Sequence, residues 1–318
     1  MPQRSCPKLS KKNPLRLVFS SEGGLALITT LLITAILVTI VSEFAYRVYV
    51  STARAGNIRD SARAALLAED GVTLGKSGLE KLLKKRPYLT MDESGLTFSQ
   101  TISDDMGVAI KIEDERSKAS LRVVYTATGL SNDNVEGIYI RLLKALNLDE
   151  RLKDTLADWI DDDGDPRHYG AETPDYQSLK TPYKPRNNNP ESLEELLMIK
   201  GYTKEAFRII SPFVSPYNTD GLININTAPK PVLMALSEDM TEELAKRIMA
   251  YRKETPFRSK SEIMKVRGFE TAGYSIQDKI TVESQIYRIT VKAKAGDAIR
   301  LSEAVVKTGG GVLYWREM

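Results

Sequence analysis

The feature that most constrains this chain is an uncharged apolar segment near its N-terminus. Residues 23–42 form a run of 20 amino acids without a charged side chain, with LALITTLLITAILVTIV at the centre. At about 1.5 Å per residue, such a helix is roughly 30 Å long, which matches the hydrocarbon core of one bilayer. Five basic residues precede the run against a single acid, Glu22. Because positive flanks stay in the cytoplasm, the sequence predicts a single-pass membrane protein whose remainder is exported.

The residues just before the apolar run distinguish between kinds of N-terminal signal. An uncleaved signal anchor fits the length and the charges. A cleaved secretory signal peptide fits less well, because the run is longer than about 7–15 residues and no A-x-A site follows it. The small pair Gly23 and Gly24 instead lies before the run and is followed by Leu25. This pattern resembles type IV prepilins, in which a prepilin peptidase cuts after the last glycine. The resemblance implies a leader at 1–24 and a transmembrane helix at 25–42.

The fifth residue of the mature chain would be Thr29. Most prepilin-like families have a Glu at this position, and it pairs with the N-terminal amine of a neighbouring subunit inside the apolar filament core. Because an unpaired charge in hydrocarbon costs several kcal/mol, the loss of this Glu should change how the subunit joins a filament.

The composition excludes several classes of function. One Cys excludes a disulfide framework and Cys-rich zinc sites, and one His makes a Ser-His-Asp triad or a multi-His metal centre hard to assemble. We therefore expect no enzyme. The net charge of +3 comes from the N-terminal flank, because without residues 1–24 the chain has 40 Lys and Arg against 41 Asp and Glu, a net charge of −1. The basicity therefore indicates topology and gives no reason to expect a nucleic acid.

The hydrophobic pattern predicts an α+β fold. A helical pattern continues through 43–68, and residues 135–277 are typical of helices joined by polar loops. Strand-like runs lie on both sides of that helical region, at 96–102, 108–112, 121–126, 280–283, 287–295, 298–307 and 312–316. We expect a pilin-like long N-terminal helix packed on an antiparallel sheet, with a large inserted all-α domain; two domains in series are the alternative. The expected parts are 43–130 for the helix and the first strands, 131–277 for the α domain, and 278–318 for the last strands.

The helical region contains an internal repeat. The segments SLEELLMIKGY from Ser192 and SKSEIMKVRGF from Ser259 align without a gap, and each Ser precedes a Glu by three residues, as in a capping box. Gly201 and Gly268 follow where a helix would end in the left-handed conformation. Each unit resembles a helix-hairpin-helix, a motif that contacts DNA phosphates through backbone N–H groups. Two small hairpins that pack on each other are the structural alternative, and the surrounding acids favour it.

The acidic loop is the strongest candidate for a site. Five aspartates fall within eight residues, and two further acids follow: the set comprises Asp158, Asp161, Asp162, Asp163, Asp165, Glu172 and Asp175. Like charges this close repel each other unless a cation compensates, and hard oxygen ligands suit Ca²⁺ better than Zn²⁺. An EF-hand frame fails because Pro166 stands where that motif needs Gly. We therefore predict a non-EF calcium loop, anchored to a core by Trp159 and Ile160. A solvated acidic turn is the alternative, and a magnesium phosphotransfer or glycosyltransferase site would lack a phosphate cradle.

Three short segments occur in a characteristic order: DWID at 158–161, GAE at 170–172 and NINTAP at 224–229. Together with the leader they resemble the K-type minor pseudopilins of type II secretion systems, the general secretion pathway protein K family. Thr29 in place of Glu fits that family, whose members characteristically lack the carboxylate. The resemblance extends over residues 23–318. We expect the 224–229 segment to form a tight helix entry with Thr227 as N-cap, rather than a second site.

The resemblance implies a structural role, partners and a ligand set. Such proteins form a tip complex with the I- and J-type minor pseudopilins, which primes assembly of a periplasmic pseudopilus from the major pseudopilin. The chain would lie in the bacterial inner membrane with its N-terminus in the cytoplasm. The implied calcium ligands are Asp161, Asp163, Glu172 and Asp175, with Asp158 and Asp165 as further candidates. A membrane-anchored helix-hairpin-helix DNA-binding protein of a competence-like system is the alternative function.

Overall fold

The computed structural model describes residues 21–86, 88–90, 97–270 and 272–318. Most of the predicted leader, residues 1–20, lies outside the described residues. The first described element is a single α-helix, α1, at Ser21–Lys85. Its N-terminal part, from Leu25 to Val41, is apolar because no charged residue interrupts it. The side chains of this part are exposed. By length and composition, this helix could cross a membrane.

The C-terminal part of α1 belongs to a compact unit, Asp60–Met318, in which it packs on an antiparallel sheet. The sheet has five strands in the order β1-β2-β7-β8-β9. These strands are β1 at Thr97–Ser103, β2 at Met106–Asp114, β7 at Ile286–Ala295, β8 at Ala298–Lys307 and β9 at Val312–Glu317. Alternation places Tyr287, Ile289 and Val291 on the face toward α1. Strands β7 and β8 are joined by a two-residue turn, where Gly296 has φ of 55°.

Between β2 and β7 the chain leaves the sheet and forms a helical region. Its α-helices are α2 at Asp133–Ala145, α3 at Leu152–Ile160, α4 at Thr173–Gln177, α5 at Lys204–Ile210, α6 at Lys230–Met234 and α7 at Glu242–Glu254. Short 3-10 helices lie at Glu115–Ser117, Leu193–Met198, Ser211–Phe213, Lys260–Lys265 and Ala272–Ile276. Two parallel pairs of two-residue strands also occur, β3 (Ala119–Ser120) with β4 (Val214–Ser215) and β5 (Ile223–Asn224) with β6 (Ile280–Thr281). The sheet is therefore interrupted by an insertion, as the separation of the strand-like runs predicted.

Some expectations about local structure are wrong. The run at 280–283 adds no strand to the five-stranded sheet, because β6 pairs in parallel with β5 instead. Residues 121–126 form no long strand; Val124 makes one isolated bridge to Ser131, and Leu121, Val123 and Val124 are buried in the helical core instead. Thr227 is not a helix N-cap, because α6 begins three residues later with Pro229 as its N-cap. The Thr227 hydroxyl donates to the Asp114 carboxylate at 2.7 Å, and Asn224 Nδ2 donates to the same oxygen at 2.7 Å. The NINTAP segment therefore ties the insertion to the end of β2.

Buried charges reinforce this junction. Glu115, directly after β2, is fully buried and lies 2.7 Å from Arg288 Nε of β7 and 3.1 Å from Lys118 Nζ. The Ser215 hydroxyl donates to its other carboxylate oxygen. Buried charges need such partners, since the loss of one partner leaves an uncompensated charge in a low-dielectric interior. Sheet and insertion thus share one polar network.

Candidate metal centre

The acidic loop begins at the end of α3, which is held in place by aromatic packing. Trp159 is 2 % exposed, and its ring meets that of Tyr176 edge-on at 5.4 Å between centroids and that of Tyr183 at 6.3 Å. Ile160 is fully buried, so both predicted anchors are in the core. The helix ends at Ile160, and the backbone of its C-cap residue, Asp161, is extended. Asp158 and Asp161 consequently project from a fixed helix end.

A third carboxylate approaches from α4. Glu172 is the N-cap of that helix, and its backbone N–H donates to Asp175 Oδ2 at 3.2 Å, which fixes the entry of the chain. One carboxylate oxygen from each of Asp158, Asp161 and Glu172 lies within 4.8 Å of the others. All three residues are buried, with Asp158 and Asp161 at 0 % and Glu172 at 3 % exposure. The fold therefore concentrates three acids where carboxylates are seldom found without a counter-charge.

A guanidinium group lies among these carboxylates. Arg167 Nη1 is 2.7 Å from Asp158 Oδ1 and 2.5 Å from Asp161 Oδ2. Its Nη2 donates to the carbonyl oxygen of Gly129 at 2.6 Å, and its backbone N–H donates to Asp158 Oδ2 at 3.1 Å. Arg167 therefore connects the acidic loop to the turn at 126–130.

The charges in this cluster are only partly balanced. Burial, reinforced by the charges of Asp158 and Asp161, raises the pKa of Glu172 to about 7. Burial also raises the pKa of Asp158 and of Asp161, against the effect of Arg167. Burial would lower the pKa of Arg167, but its hydrogen bonds to both aspartates raise it. Within the described residues, Asp161 Oδ1 and Glu172 Oε1 are buried without a hydrogen-bond partner.

This arrangement fits a hard divalent cation. The donor set consists of carboxylate oxygens, which Ca²⁺ prefers, and two of these residues each have one unpartnered oxygen, Asp161 Oδ1 and Glu172 Oε1. The backbone approaches closely at two glycines that leave room for the carboxylates. A Cβ at Gly170 would lie 1.7 Å from Asp158 Oδ2, and one at Gly129 would lie 2.4 Å from Asp163 Oδ2. Asp158, Asp161 and Glu172 would hold such an ion, whose bound charge would offset the mutual repulsion of the carboxylates.

The other predicted ligands lie around this cluster. Asp163 and Asp165 are exposed, and Asp165 N–H donates to Asp163 Oδ1 at 2.9 Å. Asp163 is near enough to influence Asp161 electrostatically. Asp175 points elsewhere, because its Oδ1 accepts from Lys200 Nζ at 2.8 Å. The structure thus brings together three of the six predicted ligands and places Asp163 at the margin.

The two hairpin turns have the predicted backbone shape, but one backbone donor near each turn is already occupied. Gly201 and Gly268 have φ of 91° and 95°. A capping box forms at Ser192, whereas Ser259 instead shares a hydrogen bond with the Ser261 hydroxyl. The backbone N–H of Gly268 donates to Glu270 Oε2 at 2.9 Å, and that of Lys200 donates to the Tyr176 hydroxyl at 3.3 Å. Because these donors already have acceptors within the chain, the geometry does not favour phosphate binding by these turns.

The predicted processing site lies at the start of α1. Gly24 and Leu25 are both helical, and a Cβ at Gly24 would meet nothing within 4 Å among the described residues. The hydroxyl of Thr29 donates to the carbonyl of Ala26 at 2.9 Å, which satisfies its hydrogen bond within the helix. Thr29 therefore places no unpaired polar group on the apolar surface.

Two participants were missed from the sequence. Arg167 is the basic residue that follows the five aspartates, and its place directly after Pro166 can be read from the sequence. Its contacts with Asp158 and Asp161 depend on the path of the loop, which residue spacing does not specify. Gly129 lies almost 30 residues before the loop, and no local sequence signal connects it with the acids.

Comparisons with known proteins agree with this architecture. Two family models, both described as Type II secretion system (T2SS), protein K, match residues 118–219 and 223–283, together just over half of the chain. Relatives named Type II secretion system protein K are similar over most of their lengths. That of Pseudomonas aeruginosa is 28 % identical over 257 residues, covering 77 % of this chain and 76 % of the relative. Those of Pectobacterium carotovorum and Aeromonas hydrophila are 25 % identical over 302 residues and 26 % over 310 residues, covering 88 % and 91 % of this chain and 90 % and 93 % of the relatives.

A solved structure has the same fold. A chain from the crystal structure of the GspK-GspI-GspJ complex from the enterotoxigenic Escherichia coli Type 2 Secretion System aligns with a TM-score of 0.69. The alignment covers 83 % of this chain and 99 % of the other at 15 % identity. It supports the α+β architecture of a long N-terminal helix, an antiparallel sheet and a helical insertion.

Proposed function

Because this chain belongs to the type II secretion system protein K family, we propose that it is the subunit at the tip of the pseudopilus. It is a minor pseudopilin, a structural component of the secretion system rather than a known enzyme. The observation that carries the proposal is the helical insertion between β2 and β7. Both family models match this region, and it adds bulk to a pilin-like helix and sheet.

The proposed partners are the I- and J-type minor pseudopilins. The structure with the same fold was solved as a complex of GspK with GspI and GspJ, which supports equivalent partners here. Together the three subunits would prime assembly of the major pseudopilin. Thr29 supports a terminal position, because a subunit with no neighbour above it needs no buried carboxylate at this depth.

The proposed location is the bacterial inner membrane, with α1 as the anchor. The basic residues of the leader would stay in the cytoplasm, and the compact unit Asp60–Met318 would lie in the periplasm. A prepilin peptidase would remove residues 1–24 by cutting between Gly24 and Leu25.

The acidic loop is proposed to bind calcium. Burial of Asp158, Asp161 and Glu172 with two unpartnered oxygens supports this, and so does the oxygen-only donor set. The mature chain would have no cysteine, because Cys6 is removed with the leader. A metal ion would then hold the loop where a disulfide cannot.

Co-purification tests the proposal. The full chain, extracted in detergent, is expressed with the I- and J-type pseudopilins of the same bacterium, with calcium and with chelator. We expect a stable complex containing all three proteins in the presence of calcium. Co-expression with an unrelated single-pass membrane protein is the control for association through detergent micelles. A chain that remains monomeric at every calcium concentration would contradict the proposed tip role.

A further inference from the structure

The guanidinium of Arg167 lies where a bound cation would be expected. Its Nη1 contacts Asp158 Oδ1 at 2.7 Å and Asp161 Oδ2 at 2.5 Å. Calcium binds carboxylate oxygens at about 2.3–2.6 Å, so the two distances are nearly those of a metal ligand pair. The space between these two oxygens cannot hold both Nη1 and a metal ion.

The charge of Arg167 compensates the cluster only in part. One guanidinium faces three buried carboxylates, and the unpartnered Asp161 Oδ1 and Glu172 Oε1 receive no hydrogen bond from it. A cluster with two free buried acceptors and excess negative charge still attracts a cation. Arg167 therefore neutralises enough of the buried negative charge for the loop to fold. The negative charge that remains still attracts a metal ion.

We propose that Arg167 is an internal competitor that sets the calcium affinity of this loop; the inference rests on the calcium site proposed above. Nη1 bridges Asp158 and Asp161, and Nη2 donates to the carbonyl of Gly129 in the neighbouring turn. Arg167 withdraws Nη1 when the site is loaded. Its side chain is 23 % exposed, so it can turn toward solvent without crossing the core.

The competition links the loop to the turn at 126–130. Arg167 Nη2 donates to the Gly129 carbonyl at 2.6 Å, and Asp162 N–H donates to the Thr126 carbonyl at 3.2 Å. Arg167 itself makes the contact with Gly129, whereas the hydrogen bond to Thr126 does not involve Arg167. Calcium binding would therefore alter the contact between Arg167 and Gly129 and leave the hydrogen bond between Asp162 and Thr126 in place.

Calcium titration of the full chain in detergent tests this inference. The variant Arg167→Gln removes the competing charge, and by isothermal titration calorimetry with Ca²⁺ alone we expect its Kd to be at least about tenfold lower than that of the wild type. Its melting temperature without calcium should fall, because three buried carboxylates then lack a counter-charge. Lys153→Gln is the matched control: Lys153 also pairs with acids, Glu136 and Asp154, but lies outside the cluster, so the Kd should not change.

The outcomes separate the inference from the calcium site itself. If the wild type binds calcium and Arg167→Gln binds it equally or less tightly, the site stands and the competitor role is wrong. If neither protein binds calcium, both are wrong. If Arg167→Gln does not fold, a structure of the calcium-loaded wild type decides. Nη1 still within hydrogen-bond distance of both Asp158 and Asp161 would overturn the inference, and Nη1 withdrawn from them would support it.

Discussion

Two neighbouring acids, Asp114 at the end of β2 and Glu115 directly after it, have pKa values shifted in opposite directions because their buried surroundings differ. Burial raises the pKa of Asp114, whose carboxylate accepts from the neutral side chains of Asn224 and Thr227. Burial would also raise the pKa of Glu115, but the charges of Lys118 and Arg288, with hydrogen bonds from Arg288 and Ser215, lower it to about 2. Ionised Asp114 therefore lowers the stability of the folded protein, whereas ionised Glu115 raises it.

The pH dependence of unfolding follows from Glu115. Its native pKa of about 2 is below the ordinary 4.5, so its contribution is complete above about pH 4.5 and is lost as the pH falls from 4.5 toward 2. We expect Glu115→Gln to lower the free energy of unfolding by about 3 kcal/mol at neutral pH, since it removes the buried partner of Lys118 and leaves Arg288 with Glu303 alone. That difference should shrink below about pH 4.5. Urea denaturation of the full chain at several pH values measures it.

A nearby acid provides the control for this experiment. Glu113 lies on β2, and its ion pair with Lys111 is partly exposed at 30 % and 43 %. Glu113→Gln should therefore cost less than about 1 kcal/mol at neutral pH. A Glu115→Gln difference that stays constant from neutral pH down to about pH 3 would contradict the role assigned to the ionised carboxylate.

At the scale of elements, the sheet was more predictable than the site. Alternation along 287–295 and the Gly296 turn specify β7 and β8, because strand period and turn chemistry are local signals. The same apolar content at 121–126 misled the prediction, since Leu121, Val123 and Val124 pack into a helical core without a pairing strand. Acid density indicated Asp158, Asp161 and Glu172. The position of Arg167 was not predictable, because a contact across the loop depends on tertiary folding.

The packing of α1 on the sheet rests on a close approach at Gly71. A Cβ at this position would lie 2.6 Å from Val291 Cγ1 and 3.1 Å from Val108 Cγ2. Because valine side chains are stiff, Gly71→Ala should push the helix away and destabilise the protein by about 1–3 kcal/mol. Thermal or urea unfolding of the full chain measures the loss.

Gly78 on the same helix is the matched control. A Cβ there would meet nothing within 4 Å among the described residues, so Gly78→Ala changes helix propensity without disturbing the sheet. We expect it to leave stability unchanged or raise it by about 0.5–1 kcal/mol. If Gly71→Ala were as well tolerated as Gly78→Ala, the close packing of α1 on β7 would not be the constraint described.

On the scale of the whole molecule, the N-terminal segment sets the sign of the net charge. With residues 1–24 the net charge is +3, and without them it is −1. In the proposed topology the basic residues would favour retention of the N-terminus in the cytoplasm, and the chain after the proposed cut would be slightly acidic. The proposed tip role requires the cut, because the mature N-terminus at Leu25 is then the end of the apolar helix.

Mass spectrometry of the membrane-extracted chain checks this step. We expect the N-terminus at Leu25 in the wild type and an intact leader in Gly24→Val, because the bulkier side chain blocks the peptidase at the residue it recognises. Gly56→Val is the control, since Gly56 lies on the same helix and a Cβ at either glycine meets nothing within 4 Å among the described residues. This control should be cleaved like the wild type. A wild-type chain that keeps its leader would exclude processing as a prepilin, and α1 would then act as an uncleaved anchor whose five basic residues still hold the N-terminus in the cytoplasm.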